Sequence, residues 1–393
     1  MLSSFETGIL TLINNALKGE NQPLPEGFDY SAVYQFGVKH QILPMLYYGG
    51  ASDIKLISSD IDNKMLFGTM QLTALSENQL YEIDRVCKEF DKNGIEYLKL
   101  KGSIIKRLYP QGEMRVMSDA DILIRKNQMD EIENVLPNIG FVYKYTSEYE
   151  WVWSNENLTM ELHTGVVAER EKDFYEYFGD GWKLAHKKGD GTCEYVMSLE
   201  DELVYLFTHL AKHYREAGIG IKHLTDIYLF LKEYPQLDLE YVYASFEKLH
   251  LLEFFKNIKR TLDVWFNGSE CDEISEFITA KIFESGVYGT QLERIKTSAV
   301  RVSKGRSIKG AKRKRLMNNL FPSYKVMCLS RPYLKKAPVL LPFAWIWRLI
   351  TGVIFKNKKI KEKSNEINAV NQETVDACQA ELNYVGLDFN FEV

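Results

Sequence analysis

The sequence predicts an α+β chain in which a small mixed sheet is flanked by helical N- and C-terminal regions. Three observations predict it: apolar residues at helical spacing through 1–94, short alternating apolar runs over 95–165, and a return to helical spacing from Leu199. At 393 residues the chain exceeds the usual size of one core, and 45% hydrophobic and 13% aromatic residues provide material for more than one. The same composition excludes disordered, collagen-like and low-complexity classes. Cys87, Cys193, Cys271, Cys328 and Cys378 are far apart and form no Cys-x-x-Cys pair. Neither a disulfide framework nor a zinc ribbon is indicated, and a reducing cytoplasm is expected. The first residues lack a basic stretch and include Glu6, so they read as an amphipathic helix rather than a secretion signal.

Taken in order, Pro23, Pro25 and Gly27 separate the first helix from the next. Residues 95–100 alternate as a strand, Gly102 opens a short helix, and Tyr109-Pro-Gln-Gly112 closes it. Residues 119–124 form a second strand, and 128–136 a helix ending near Pro137 and Gly140. Residues 141–145, 151–154 and 158–163 follow as strands, which makes a sheet of about four or five. Helices are expected at 202–214, 221–231, 239–249, 251–266 and 274–284. The resulting segments are a helical region (1–94), an α/β core (95–165), a helical domain (166–300), a basic and apolar tail (301–363) and an acidic end (364–393).

The net charge of −5 hides a strong asymmetry. Residues 1–300 carry 31 Lys+Arg against 47 Asp+Glu, residues 301–363 carry 18 against 1, and residues 364–393 carry 0 against 6. The densest stretch holds Lys304, Arg306, Lys309 and Lys312-Arg-Lys-Arg315. Such a run either docks on the acidic body or attracts phosphates of nucleic acid, of an anionic membrane or of a nucleotide substrate, and its shortage of stacking aromatics favours docking over nucleic acid. Residues 337–355 are apolar except at Arg348 and Thr351. Pro338, Pro342, Arg348 and the following Lys356, Lys358 and Lys359 favour a buried or interfacial helix over a membrane span, hence a soluble protein with peripheral membrane contact.

The chemistry-bearing residues lie in the α/β unit. Asp119 and Asp121 sit two apart at the start of a strand, so their carboxylates leave one face and can share divalent metal. Glu161 alternates in Leu158-Thr-Met-Glu-Leu-His163 with Thr159 and His163 on its own face, and pairing of this strand beside the first makes it the third carboxylate. Upstream, Gly102 and Ser103 occupy a strand-to-helix turn whose N–H groups can hold phosphate, and Lys101 adds positive charge. Lys99 points the same way as Lys101, so one of the two reaches the phosphate. His163 either supports the metal site or makes a core hydrogen bond. His209 and His213 share a helix face at a spacing zinc sites use, but the intervening Leu-Ala-Lys lacks a zinc hydrolase's glutamate, so both are read as structural or substrate-pocket residues. Asp226 is expected to pair with such a histidine or to cap a helix, and Tyr149, Trp151 and Trp153 to pack the sheet.

Together, Leu100-Lys-Gly102, Leu108-Tyr-Pro110, Arg115-Val-Met-Ser-Asp-Ala-Asp-Ile-Leu-Ile124 and Glu161-Leu-His163 resemble the uncharacterised nucleotidyltransferase family called NTP-transferase 5, of the polymerase-β-type superfamily. His209-Leu-Ala-Lys-His213 and Lys222-His-Leu-Thr-Asp226 resemble its helical half, so the resemblance spans most of 30–350. Ala120 stands where a larger aliphatic residue is usual, and 15 residues separate Ser103 from Asp119, slightly more than the minimal pattern; neither departure removes a carboxylate. The resemblance implies a nucleotidyltransferase core at 95–165 that moves an NMP group from an NTP, ATP by default, to an acceptor hydroxyl and releases pyrophosphate. It also implies a pair of Mg²⁺ ions, or Mn²⁺, as cofactors. Asp119 and Asp121 would bridge the metals, Glu161 would bind the acceptor-side metal, and Lys101, Gly102, Ser103 and Arg115 would grip the phosphates. Two other readings stay open: a non-catalytic nucleotide- or protein-binding module of the same fold, and a glycosyltransferase using Asp-x-Asp as its metal motif.

Overall fold

The structure is a computed structural model. It describes residues 1–50, 59–287 and 372–387, together with 289, 297, 317, 320–324, 327–328 and 331–350. The basic run at 301–315, the lysines at 356–363 and both ends of the acidic segment lie outside the described residues.

The first helix, α1 (Ser4–Lys18), starts at a reciprocal cap in which Ser3 and Glu6 each accept from the other's backbone N–H, and it stops at Gly19 with φ 67°. Then come α2 (Val33–His40), α3 (Leu43–Tyr48) and the long α4 (Ser59–Lys92). The α/β part runs β1 (Tyr97–Lys99), α5 (Gly102–Ile105), β2 (Ala120–Ile124), α6 (Met129–Asn138), β3 (Val142–Thr146), β4 (Glu150–Ser154), β5 (Thr159–His163), α7 (Lys172–Phe178), β6 (Ala185–Lys187) and β7 (Glu194–Met197). The helical half is α8 (Leu199–Glu216), α9 (Ile221–Glu233), α10 (Leu239–Lys248), α11 (Leu252–Phe266) and α12 (Glu273–Ser285).

The sheet has seven strands in the order β3-β4-β5-β2-β1-β7-β6, with β2·β5 and β1·β7 parallel and the other pairs antiparallel. This corrects the expected four or five and carries the sheet past residue 165. The physical reason is edge coverage, because β7 pairs with β1, whose N–H and C=O groups would otherwise form an open edge.

Strand alternation sorts the two faces. Ala120, Ile122 and Ile124, with Met160 and Leu162, pack on Ile83, Val86 and Phe90 of α4 and on Ile132 and Leu136 of α6. Their neighbours in sequence, Asp121, Leu123, Glu161 and His163, therefore face the other way, and Leu123 joins Leu98 and Leu100 in the large core built with α8 and α9. Helices α1–α3 and α8–α12 share that core, and Asn14 donates to the Trp265 carbonyl at 2.7 Å between its two ends.

One buried carboxylate in α8 has no local partner. Burial raises the Glu202 pKa from 4.5 to about 7, and its Oε1 makes no hydrogen bond. A folded-state pKa above the unfolded one means that the folded chain holds an extra proton between the two values. Stability from this group is therefore present below pH 4.5, falls as pH rises to about 7, and is lost above it. Glu202→Gln is expected to exceed the parent chain in stability by about 2 kcal/mol at pH 8 and to lose that advantage near pH 5. Urea midpoints of both chains at the two pH values check it.

Candidate active site

The parallel register of β2 on β5 sets Asp121 opposite Glu161 and Leu123 opposite His163. Parallel neighbours stand about 4.8 Å apart with their side chains in phase, so the acidic positions converge. One ligand atom from each of Asp121, Glu161 and His163 lies within 4.8 Å of the others. His163, 3% exposed, donates from Nε2 to Asp121 Oδ1 at 2.8 Å and stands 3.8 Å from Glu161 Oε2. At shortest range the cluster thus contains His163 where Asp119 was expected. Asp119 precedes β2 by one residue, but its charge reaches the group: burial first, then Asp119 and Asp121, raise the Glu161 pKa to about 7. Burial and Asp121 likewise raise Asp119.

The turn that leaves β1 closes over this cluster. Leu100 N–H donates to the Asp121 carbonyl at 3.0 Å, and the chain then reverses at Lys101 with φ 47°, a conformation side-chain-bearing residues seldom adopt. The reversal brings Lys101 Nζ to 3.1 Å from Asp121 Oδ1. Burial alone would raise the Asp121 pKa, but the Lys101 ammonium and the His163 bond hold it well below the carboxylate range. Asp121 in turn raises Lys101 against its own burial. Lys99 is removed from contention by its pair with Glu194 at 2.9 Å. A Cβ at position 102 would meet Met117 Sδ at 3.1 Å and Arg115 Nη1 at 3.3 Å, so glycine lets these two side chains close on the turn without displacement. Ser103 is 4% exposed, and its hydroxyl donates inward to the Leu100 carbonyl at 3.1 Å, which ties the turn. Beside the turn lies a cavity of about 120 Å³ lined by Lys101, Ser103, Arg107, Glu202 and Tyr205 among others.

The opposite wall comes from α8 and α9. Arg115, expected at phosphate, is 8% exposed and fully engaged: Nε meets Asp226 Oδ1 at 2.9 Å, Nη2 meets Oδ2 at 2.7 Å, and Nη1 donates to the Val116 carbonyl at 3.3 Å. Tyr109 OH adds a bond to Asp226 Oδ1 at 2.7 Å. Arg115 is therefore corrected from a phosphate ligand to the clamp between the α/β part and α9. Asp226 is corrected likewise, from a histidine partner or helix cap to the other half of that clamp. A planar guanidinium matches a carboxylate bidentately, which suits a buried pair.

Lys222, one turn before Asp226, donates to Gln41 Oε1 at 2.7 Å and to the Val116 carbonyl at 3.3 Å. Burial and Arg115 lower its pKa to about 7 while Asp226 and Asp119 oppose them. The rings of His209 and His213 lie 4.3 Å apart, with His223 6.3 Å from His213. Burial, then Lys101 for His209 and Lys222 for His223, drive those two well below the usual histidine range, so both are neutral. They are outside the one compact His, Cys, Asp and Glu group found among the described residues.

Lys222, His223, Tyr205 and Tyr149 were not assigned to the site from sequence. Tyr205 had a readable signal, since 205, 209 and 213 fall on one helix face, and Lys222 shares a face with Asp226. Tyr149, expected to pack the sheet, instead places its ring 5.6 Å from that of His163. It sits between strands, where no periodicity points to it. Trp153 does pack the sheet, at 4% exposure.

The sequence model of one family, described as an uncharacterised nucleotidyltransferase, matches residues 26–267, well over half of the chain. That span includes every cleft residue from Lys101 to Asp226. No curated protein and no solved structure matches the chain.

The Arg115–Asp226 clamp generates a stability prediction. Asp226→Ala strands a buried guanidinium and the Tyr109 hydroxyl, and is expected to cost about 3–5 kcal/mol, read as a lowered urea midpoint.

Proposed function

The chain belongs to the uncharacterised nucleotidyltransferase family, and from that premise we propose that it moves a nucleoside monophosphate group from an NTP to an acceptor hydroxyl, releasing pyrophosphate. The observation that carries this reading is the cluster of Asp121, Glu161 and His163, with Asp119 beside it, where the polar face of the sheet meets α8 and α9. Carboxylate oxygens are hard donors suited to Mg²⁺ or Mn²⁺, and the proton that Glu161 keeps up to about pH 7 reflects burial first and then the neighbouring carboxylates. Divalent ions bound there supply charge neutralisation for the triphosphate and a more acidic acceptor hydroxyl.

The remaining work falls to the chain's own groups. Asp119, Asp121 and Glu161 would hold the ions, and Glu161 would receive the acceptor proton. Lys101 rests on Asp121 and exchanges that carboxylate for the β and γ phosphates when the nucleotide arrives. Gly102 admits the phosphates to the backbone, and Ser103 keeps the turn in shape through Leu100. His163 orients Asp121. His209, His213 and His223 form part of the wall for base or acceptor. We assign the transferase core to 95–165 with β6 and β7 completing its sheet, and place the protein in the cytoplasm on the odd number and wide spacing of its cysteines.

A second reading, a nucleotide-binding module without catalysis, draws on Lys101, which already balances Asp121 at 3.1 Å without a metal. Metal dependence separates the two. Calorimetric titration of each NTP, ATP first, with and without Mg²⁺, is expected to show binding that needs the ion; metal-independent binding unaffected by Asp121→Asn would overturn catalysis. In the same assay format, Asp121→Asn is expected to reduce nucleotide transfer by roughly 10³-fold or more while leaving circular dichroism unchanged. The raised Glu161 pKa sets a further expectation. Below about pH 7 the carboxyl is protonated and is lost as a ligand, so Mn²⁺ affinity should rise about tenfold from pH 6 to pH 8 and level off above that. Affinity flat across that range would remove Glu161 from the metal site.

A further inference from the structure

The helix at 341–350 turns its more apolar face to solvent. At 3.6 residues per turn, positions 343, 346, 347 and 350 fall within an arc of about 100°. Phe343 is 68% exposed, Ile346 54%, Trp347 59% and Ile350 47%, and Val339 in the preceding turn is 82% exposed. The other face packs Leu341, Ala344 and Trp345 on Met327, Cys328 and Leu334. Trp345 Nε1 donates to the Pro322 carbonyl at 3.0 Å, and its ring meets Phe321 edge-on at 5.5 Å. The helix is therefore seated on its own neighbours through one face and presents the apolar stripe outward. An exposed stripe of this kind marks an interaction surface more often than a solvated one.

The charge around the stripe selects its occupant. Residues 301–363 hold 18 basic residues against 1 acidic, with Lys336 ahead of the helix and Lys356, Lys358, Lys359, Lys361 and Lys363 after it. Residues 1–300 carry 31 basic against 47 acidic. We infer that this face docks the protein on an anionic lipid surface, with Phe343, Ile346 and Ile350 entering the acyl boundary and the flanking lysines meeting headgroups. An apolar protein partner has no use for the positive excess, and nucleic acid has none for an aliphatic stripe. The acidic body, the docking partner expected for this segment, leaves the stripe uncovered. No helix among the described residues is long and apolar enough to cross a membrane, and Arg348 within the apolar segment with the lysines after it favours attachment in the plane of the interface. Repulsion of the acidic body orients the cleft away from the lipid.

The test is flotation of the full chain with vesicles of phosphatidylcholine alone or with phosphatidylserine at about 30%. Binding to the anionic vesicles is expected to be at least about tenfold tighter and to weaken between about 0.1 M and 0.5 M salt. The double variant Phe343→Asp/Ile346→Asp is expected to lose about tenfold or more on the same vesicles while keeping its circular dichroism and its Mn²⁺ affinity. Equal flotation with both vesicle types, or a double variant that floats like the parent, overturns the proposal. Absence of flotation together with tight binding of a short single-stranded RNA overturns it as well and assigns the basic segment to nucleic acid.

Discussion

The parallel ladder between β2 and β5 sets Asp121 against Glu161, and each other feature of the cleft is arranged around the negative charge this concentrates. A one-residue slip would send Asp121 and Glu161 into the apolar core on α4 and α6 and bring isoleucine and leucine into the cleft, so the apolar alternation of both strands specifies the acidic pairing as well as the packing. The crowding is relieved unequally. Asp121 receives the Lys101 ammonium and the His163 bond and stays ionised, whereas Glu161 keeps its proton up to about pH 7. Two carboxylates on one face are thereby held in different protonation states, which is the condition for giving them different tasks.

The cleft's second wall depends on the Arg115–Asp226 pair. It ties the segment before β2 to α9 and uses every nitrogen of the arginine, so the cationic duty at the site passes to Lys101 and Lys222. Those two lysines differ. Lys101 faces a carboxylate directly and is raised, while burial first and then the charge of Arg115 lower Lys222 to about 7. The strained backbone at Lys101 belongs to the same geometry, since it lies in the turn that brings the ammonium from the end of β1 onto Asp121 of β2.

Beyond the cleft the chain separates charge along its length, keeping acidic residues with the catalytic body and basic ones with the segment that displays the apolar stripe. A cation-rich segment next to its own acidic body would be expected to collapse on it by Coulomb attraction alone. The stripe on 341–350 nevertheless stays exposed, because the face the helix shares with its neighbours is the one holding Ala344 and Trp345.

The sequence by itself determined the order of the elements from β1 to β5, the acidic positions and the glycine turn, because these are properties of local spacing, whereas α7, β6 and β7 were not read from it. A strand's period of two assigns Asp121 and Glu161 to faces, and Gly102 marks a turn on which Met117 and Arg115 pack closely. Helix positions from 199 to 285 were legible for the same reason, through their 3.6-residue period. Tertiary structure alone decided what long-range pairing decides: that β6 and β7 join the sheet, that His163 bonds Asp121, and that Lys101 rather than Lys99 faces the cluster. It also decided that Arg115 is consumed by Asp226, 111 residues away in the chain, since a charged side chain shows its type in the sequence but not the partner that neutralises it.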